Sequence, residues 1–380
     1  MELKKLGDIF KITSGGTPSK KKEEYYLDGD IPWIKTGDLK SKNIYKSSQY
    51  ITELGVKNSS AKLFPKDTVL IAMYGATIGA TSILKIEAAT NQACAAFLPT
   101  KDVMPEYLYY FFKYNKEKII SKGIGGAQPN ISATILKDFK IPLLCLDEQE
   151  KIVNILNKAQ NTTNKRKEQI NLLDELVKSR FIEMFGDPIR NIKCWQTKRM
   201  DEVAPVINYK GNFKQNEIWL LNLDMVESNT GKIIAYNYVT ASEVGSSTCT
   251  FDTTNVLYSK LRPYLNKVVI PKEIGYATSE MMPLQPVKGI LDRYYLAYML
   301  RNKVFVDYIS EKVSGAKMPR VTMNDFRDFK VPIPPIELQN QFANFVIEVD
   351  KLKFEMEKSL KELEDNFNSL MQRAFKGELF

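Results

Sequence analysis

A chain of 380 residues, 44% of them apolar, is long enough to bury two cores of ordinary domain size. Histidine is absent, which removes Ser-His and Cys-His nucleophile pairs, imidazole metal sites and imidazole acid–base catalysis. The net charge is +9, and neither a membrane-length apolar run nor a leader-like pattern at 1–17 occurs, so a cytoplasmic, soluble chain with a polyanionic partner is expected.

The charge is unevenly placed. Residues 1–146 carry 21 basic and 14 acidic side chains, and 147–186 carry 7 of each. Residues 187–336 carry 20 and 15, and 337–380 carry 6 and 9. Two basic lobes therefore alternate with neutral or acidic segments, which suits contact with phosphates. Cys94, Cys145, Cys194 and Cys249 are too widely spaced for a CxxC pair or a zinc knuckle and read as small apolar residues; no metal site is expected.

In chain order, the first block is mixed α/β. A β-rich run at 67–74 is bounded by turn residues, and 107–120 has helical spacing of aromatic and aliphatic residues. A long helix follows over about 148–185. Its apolar seam is Ile152, Ile155, Ala159, Thr162, Arg166, Ile170, Leu173, Val177, Phe181 and Met184. Asp147 with Glu150 is a candidate capping box, Gly186 stands where a C′ glycine belongs, and Pro188 forbids continuation. The second block has a β-rich run at 255–259 and helical spacing at 294–309. A second long helix over about 337–375 follows, with Phe342, Phe345, Val349, Leu352, Met356, Leu360, Leu363, Phe367, Met371 and Ala374 as its seam. Gly377 lies beyond it. Steps of three and four with one extra four make both seams heptads with a stutter.

The two halves repeat. Lys137-Asp138-Phe139-Lys140-Ile141-Pro142-Leu143 matches Arg327-Asp328-Phe329-Lys330-Val331-Pro332-Ile333 at an offset of 190. Gln149 matches Gln339, Tyr107-Leu108 matches Tyr295-Leu296, Ala89-Thr90 matches Ala277-Thr278, and Trp33 matches Trp219, all in order. A helix of about 38 residues is roughly 57 Å long and would leave its seam wet if alone. Packing the two seams together as an antiparallel pair is the economical solution. The expectation is a mixed α+β chain of two similar globular domains, 1–146 and 187–336. Two spacer helices, 147–186 and 337–380, join them as an antiparallel coiled coil with pseudo-twofold internal repeat.

These residues carry a family resemblance. Leu6-Gly7-Asp8-Ile9, Ser14-Gly15-Gly16-Thr17-Pro18, Ile31-Pro32-Trp33-Ile34, the stretch from Thr254 to Lys267 and the Phe-Lys-(Ile/Val)-Pro-(Leu/Ile) junctions resemble the specificity subunit of type I restriction-modification systems over essentially the whole length. The resemblance implies two target-recognition domains, each reading half of a bipartite double-stranded DNA site, with the helices as a ruler for the spacer. It implies two methyltransferase subunits as partners, a restriction subunit joined through the complex, and S-adenosylmethionine held by the methyltransferase subunit rather than by this chain. The residues agree with a non-catalytic role. The nearest approach to an amino-methyltransferase motif, Ile333-Pro334-Pro335-Ile336, lacks the polar acceptor and the aromatic. No dinucleotide or Walker loop is present.

Candidate DNA contacts follow from side-chain chemistry. Ser14, Gly15, Gly16 and Thr17 suit backbone approach to phosphate, although a tight turn explains them equally. Lys20, Lys21 and Lys22 suit phosphates or a solvated face. Arg262, Asn266 and Lys267 offer forked base contacts after a predicted strand, where the first block has Gly75-Ala76-Thr77-Ile78-Gly79. Gln128 and Asn130 flank a proline as Met318 and Arg320 do, with Lys317 beside the second loop. Trp33 and Trp219 read as core. The alternatives are a coiled-coil adaptor that binds only proteins, and an enzyme acting alone.

Overall fold

The structure is a computed structural model and describes residues 2–123, 130–210, 217–315 and 318–379. The chain divides into two compact units: Met1–Arg166 with Ser359–Phe380, and Lys167–Lys358. Each unit is a mixed α/β domain that holds half of each long helix.

In the first unit, strand Glu2–Lys5 pairs antiparallel with Lys140–Leu143, the strand leading into the first long helix. A five-stranded sheet runs in the order Ile12–Ser14, Cys94–Phe97, Val69–Ala72, Thr81–Leu84, Asn43–Ile44. Val69–Ala72 and Cys94–Phe97 are buried along their whole length, as continuous apolar runs demand. A second sheet sets Ile31–Ile34 parallel to Ala88–Thr90. Helix Pro105–Tyr114 packs Tyr107, Phe111 and Phe112 into the core.

The second unit repeats the main pairings of this frame, with three strands where the five-stranded sheet stands in the first. Gln196–Arg199 pairs with Lys330–Ile333, and Ile218–Leu221 runs parallel to Gly275–Thr278. Tyr107 donates its hydroxyl to the Pro142 carbonyl at 3.0 Å, and Tyr295 donates to Pro332 at 2.9 Å. Ser132 and Thr322 cap short helices by accepting from Ile135 and Asp325 amides. An isolated bridge, Val206 to Leu284, stands where the first unit pairs Ile12 with Phe97. Trp33 and Trp219 are buried in both frames, as expected.

The long helices are Leu146–Phe185 and Ile336–Lys376. The first begins earlier than the capping box predicted. Asp147 lies inside it, and Glu148 closes the N-terminus by accepting from the Cys145 amide at 3.2 Å. Gly186 and Gly377 take φ of +79° and +77°, a left-handed exit that favours glycine.

In the first unit, Ile152 and Leu156 share a core with Phe367, Met371 and Ala374. In the second, Val177, Phe181 and Met184 share one with Phe342 and Val349. The start of one helix thus meets the end of the other, and the pair is antiparallel. Each pair also packs on its own domain: Phe375 lies 5.2 Å from Tyr107 by ring centroids, and Phe181 lies 5.6 Å from Tyr295.

The seams differ from the predicted ones near the stutter. Thr162 is exposed, and Thr163 turns inward with its hydroxyl on the Ala159 carbonyl. Leu352 is 51% exposed. Lys353 takes the inner position instead, with Nζ 2.6 Å from Asp174 Oδ1. Ile155, Ala159, Leu173, Phe345, Leu360 and Leu363 are half-buried, and Ile170 is buried.

Candidate nucleic-acid interface

The second domain sets two exposed arginines, Arg262 and Arg320, where three loops are tied by backbone. Strand Val256–Ser259 runs out at Lys260, whose amide donates to the Glu280 carbonyl at 3.0 Å. The Val321 amide donates to Lys260 at 2.9 Å, and the Arg262 amide to Pro319 at 2.8 Å. Arg262 has a φ of +50° and Asn266 one of +49°, bracketing the single turn Pro263–Leu265. Left-handed backbone costs a non-glycine residue roughly 1–2 kcal/mol and is a recognised mark of functional loops.

Arg262 and Tyr264 project to solvent from this turn. Arg320, on the adjoining loop, is exposed and gripped by Glu280. Its Nη2 lies 2.9 Å from Oε1, and its Nε lies 3.2 Å from both carboxylate oxygens. Hydrogen bonding from Arg320 holds the Glu280 carboxyl below its ordinary range.

Two sequence candidates do not join them. Asn266 is buried, and its Nδ2 donates to the Arg301 carbonyl at the end of a helix. Lys267 turns back to the Leu223 carbonyl at 2.6 Å. Both side-chain donors are thus taken up by backbone carbonyls of neighbouring segments and fasten the turn to the rest of the domain.

In the first domain, Gly15 and Gly16 are likewise taken up by the fold and do not face a phosphate. Both are buried; a Cβ on Gly15 would stand 2.0 Å from the Thr90 carbonyl, and one on Gly16 2.0 Å from Ser60 Oγ. The Gly16 amide donates to Thr90 and its carbonyl accepts from Trp33, so neither group is left for phosphate. Close backbone packing is what requires these glycines. Ser14 ends a strand, and Thr17 donates to Gln92 Oε1. Lys20, Lys21 and Lys22 are exposed, with Lys22 Nζ 3.0 Å from the Tyr25 hydroxyl. Asn130 is exposed beside the Gly75–Thr77 turn's strand: Ile131 donates to Met73 as Val321 does to Lys260. Gln128 and Lys317 lie outside the described residues.

Glu280 and Tyr264 were missed as site residues. Glu280 falls where the repeat offset shifts, so no matched position drew attention to it. Among the described residues no three His, Cys, Asp or Glu side chains converge as a metal would need. No helix among them is long and apolar enough to cross a membrane.

Comparison with known proteins now decides the family. A family model described as type I restriction modification DNA specificity domain matches residues 1–173 and again 192–365. The chain belongs to this family. The specificity subunit of the type I restriction enzyme MjaIX from Methanocaldococcus jannaschii is 27% identical over 412 aligned residues, covering 100% of this chain and 93% of that protein. The EcoR124I/EcoR124II specificity subunit of Escherichia coli is 35% identical over 169 residues, 43% of this chain and 42% of that one. The crystal structure of a type I restriction-modification S subunit from M. genitalium covers 98% of this chain and 96% of its own, with a TM-score of 0.54 and 15% identity. A chain solved for complex assembly and conformational transition of the type I R-M system reaches a TM-score of 0.64 at 16% identity, covering 100% of this chain and 98% of its own. The expected fold, two related domains with paired helices, is the fold of these specificity subunits, and the two family matches fall on the two repeats.

Proposed function

We propose that this specificity subunit reads a bipartite double-stranded DNA site, one half with residues 1–146 and the other with 187–336. The helices within 147–186 and 337–380 set the length of the spacer. The chain carries no reaction of its own. It directs adenine methylation by two methyltransferase subunits, which hold S-adenosylmethionine, and restriction by a further subunit of the same cytoplasmic complex.

One observation carries this reading. The two domains share a backbone frame down to single hydrogen bonds, yet the exposed side chains at matched loop positions differ, Arg320 against Asn130. Two readers of unlike half-sites need that combination: common scaffold and divergent contacts. Exposed Leu172, Leu176 and Ile182 on one long helix favour a protein partner there.

The test is methylome sequencing of cells that express the chain with its methyltransferase subunit, against cells lacking the chain. A split modified motif that depends on the chain is expected. No chain-dependent motif, with the methyltransferase active beside another specificity subunit, would favour the adaptor reading.

A further inference from the structure

The Glu280–Arg320 pair is built for more than holding the fold. The first domain makes the same two backbone bonds without it. There Met73 donates to Ala93 at 2.8 Å where Lys260 donates to Glu280, and Ile131 donates to Met73 at 2.8 Å where Val321 donates to Lys260. By that register Ala93 stands in place of Glu280 and Asn130 in place of Arg320. The frame therefore closes without a carboxylate or a guanidinium, and the pair is an addition peculiar to the second domain.

Its geometry is specific. Glu280 takes the Nε–Nη2 edge of Arg320, while Nη1 has no hydrogen-bond partner among the described residues. The Glu280 side chain is mostly covered, and that of Arg320 is 45% exposed. A carboxylate along one edge stops the long side chain from sampling rotamers and fixes the direction of the outer, Nη1–Nη2 edge. Two parallel N–H donors at that edge match the O6 and N7 acceptors of guanine in the major groove, and no other base presents two acceptors there. A phosphate can accept from the same edge, but loss of such a contact weakens binding to all sequences alike, whereas loss of a guanine contact relaxes one position.

We infer that Arg320 reads a guanine in the half-site of the second domain and that Glu280 is the residue that positions it. This rests on the DNA-reading function proposed above. The exposed Asn130 at the matched place in the first domain carries amide chemistry, which pairs with adenine instead.

The test uses the assembled complex and methylome sequencing, with wild type, Glu280→Gln, Arg320→Ala and Arg320→Lys run together and their thermal unfolding recorded. Both Arg320 variants are expected to relax the preference for guanine at one position of one half-site and to lower methylation of the parent motif roughly ten- to a hundredfold. Glu280→Gln relaxes the same position less, with the other half-site and the spacer unchanged. Unchanged motifs in both Arg320→Ala and Glu280→Gln would overturn the inference. So would loss spread evenly over both half-sites, or a shift confined to unfolding temperature. A wild-type chain that directs no split motif would instead overturn the parent function, a distinct result visible before any variant is compared.

Discussion

Arg262 shows how a single residue can be strained and exposed at once. Its left-handed φ of +50° is held by the bond from its amide to Pro319, against the extended backbone that the following Pro263 favours. Glycine adopts this backbone without strain but adds freedom to the unfolded chain, so Arg262→Gly should leave unfolding free energy within about 1 kcal/mol of the parent. If the guanidinium meets a phosphate, the slope of log affinity against log salt should fall by about one. Titration of the assembled complex over a salt series checks this; a large loss of stability with an unaltered slope would make Arg262 scaffold. Lys42 offers a residue-scale test of burial. Desolvation pushes its ammonium down to about 8, while Nζ donates to Asn157 at 2.6 Å and lies 4.6 Å from the Tyr110 ring. Above that pH the folded chain has released a proton that the unfolded chain still binds, so stability gains with rising pH until the ordinary lysine range. Lys42→Met should flatten the rise between about pH 8 and about pH 9.5, read by denaturant unfolding at each pH.

At the scale of elements, two buried glutamines decide how each helix is joined to its domain. Gln149 accepts from the Met104 amide and donates to Asp102 and Leu144 carbonyls; Gln339 does the same with Asp292, Ile290 and Pro334. Gln339→Ala would strand one amide and two carbonyls away from water, at a cost of about 2–4 kcal/mol in unfolding free energy. A loss under about 0.5 kcal/mol in urea denaturation would mean that water reaches the joint.

The helices themselves were legible from sequence because their seams are periodic over ten turns or so, and period needs no tertiary information. The stutter was not. At Leu352 hydrophobicity pointed inward, yet the seam continues through Lys353 because Asp174 stands opposite and neutralises it. A partner on the other helix cannot be read from one helix alone. The site was less legible for the same reason. Asn266 and Gly16 carry the residue types of a ligand loop, but only tertiary contacts reveal that carbonyls of Arg301 and Thr90 use them.

The helices make a quantitative prediction if they set the spacer. Seven residues inserted into each, at matched points near Ile170 and Met356, keep the heptad phase and lengthen each by about 10 Å. That is about three base pairs of duplex at roughly 3.4 Å each, so the methylated motif should keep both halves and widen its gap by about three. An unchanged gap would reject the ruler while leaving both half-site readers intact.

For the whole molecule, the division into units matters more than the division into sequence blocks. The core of the first unit contains Phe367, Met371 and Ala374, which come from the far end of the chain. A foreign domain placed at 1–146 must therefore supply aromatic partners for Phe367 and Phe375, as Tyr110 does for the first and Tyr107 and Phe111 do for the second here. A family member that has such residues at those positions is the donor of choice. Because each unit closes its own core around its own exposed loops, the exchanged chain should direct methylation to a hybrid motif. The half read by the second domain and the spacer should stay as they were, and only the other half should follow the donor. Motif analysis of methylated DNA distinguishes this from cooperative reading, in which both halves would change together and the repeat would be one recognition surface rather than two.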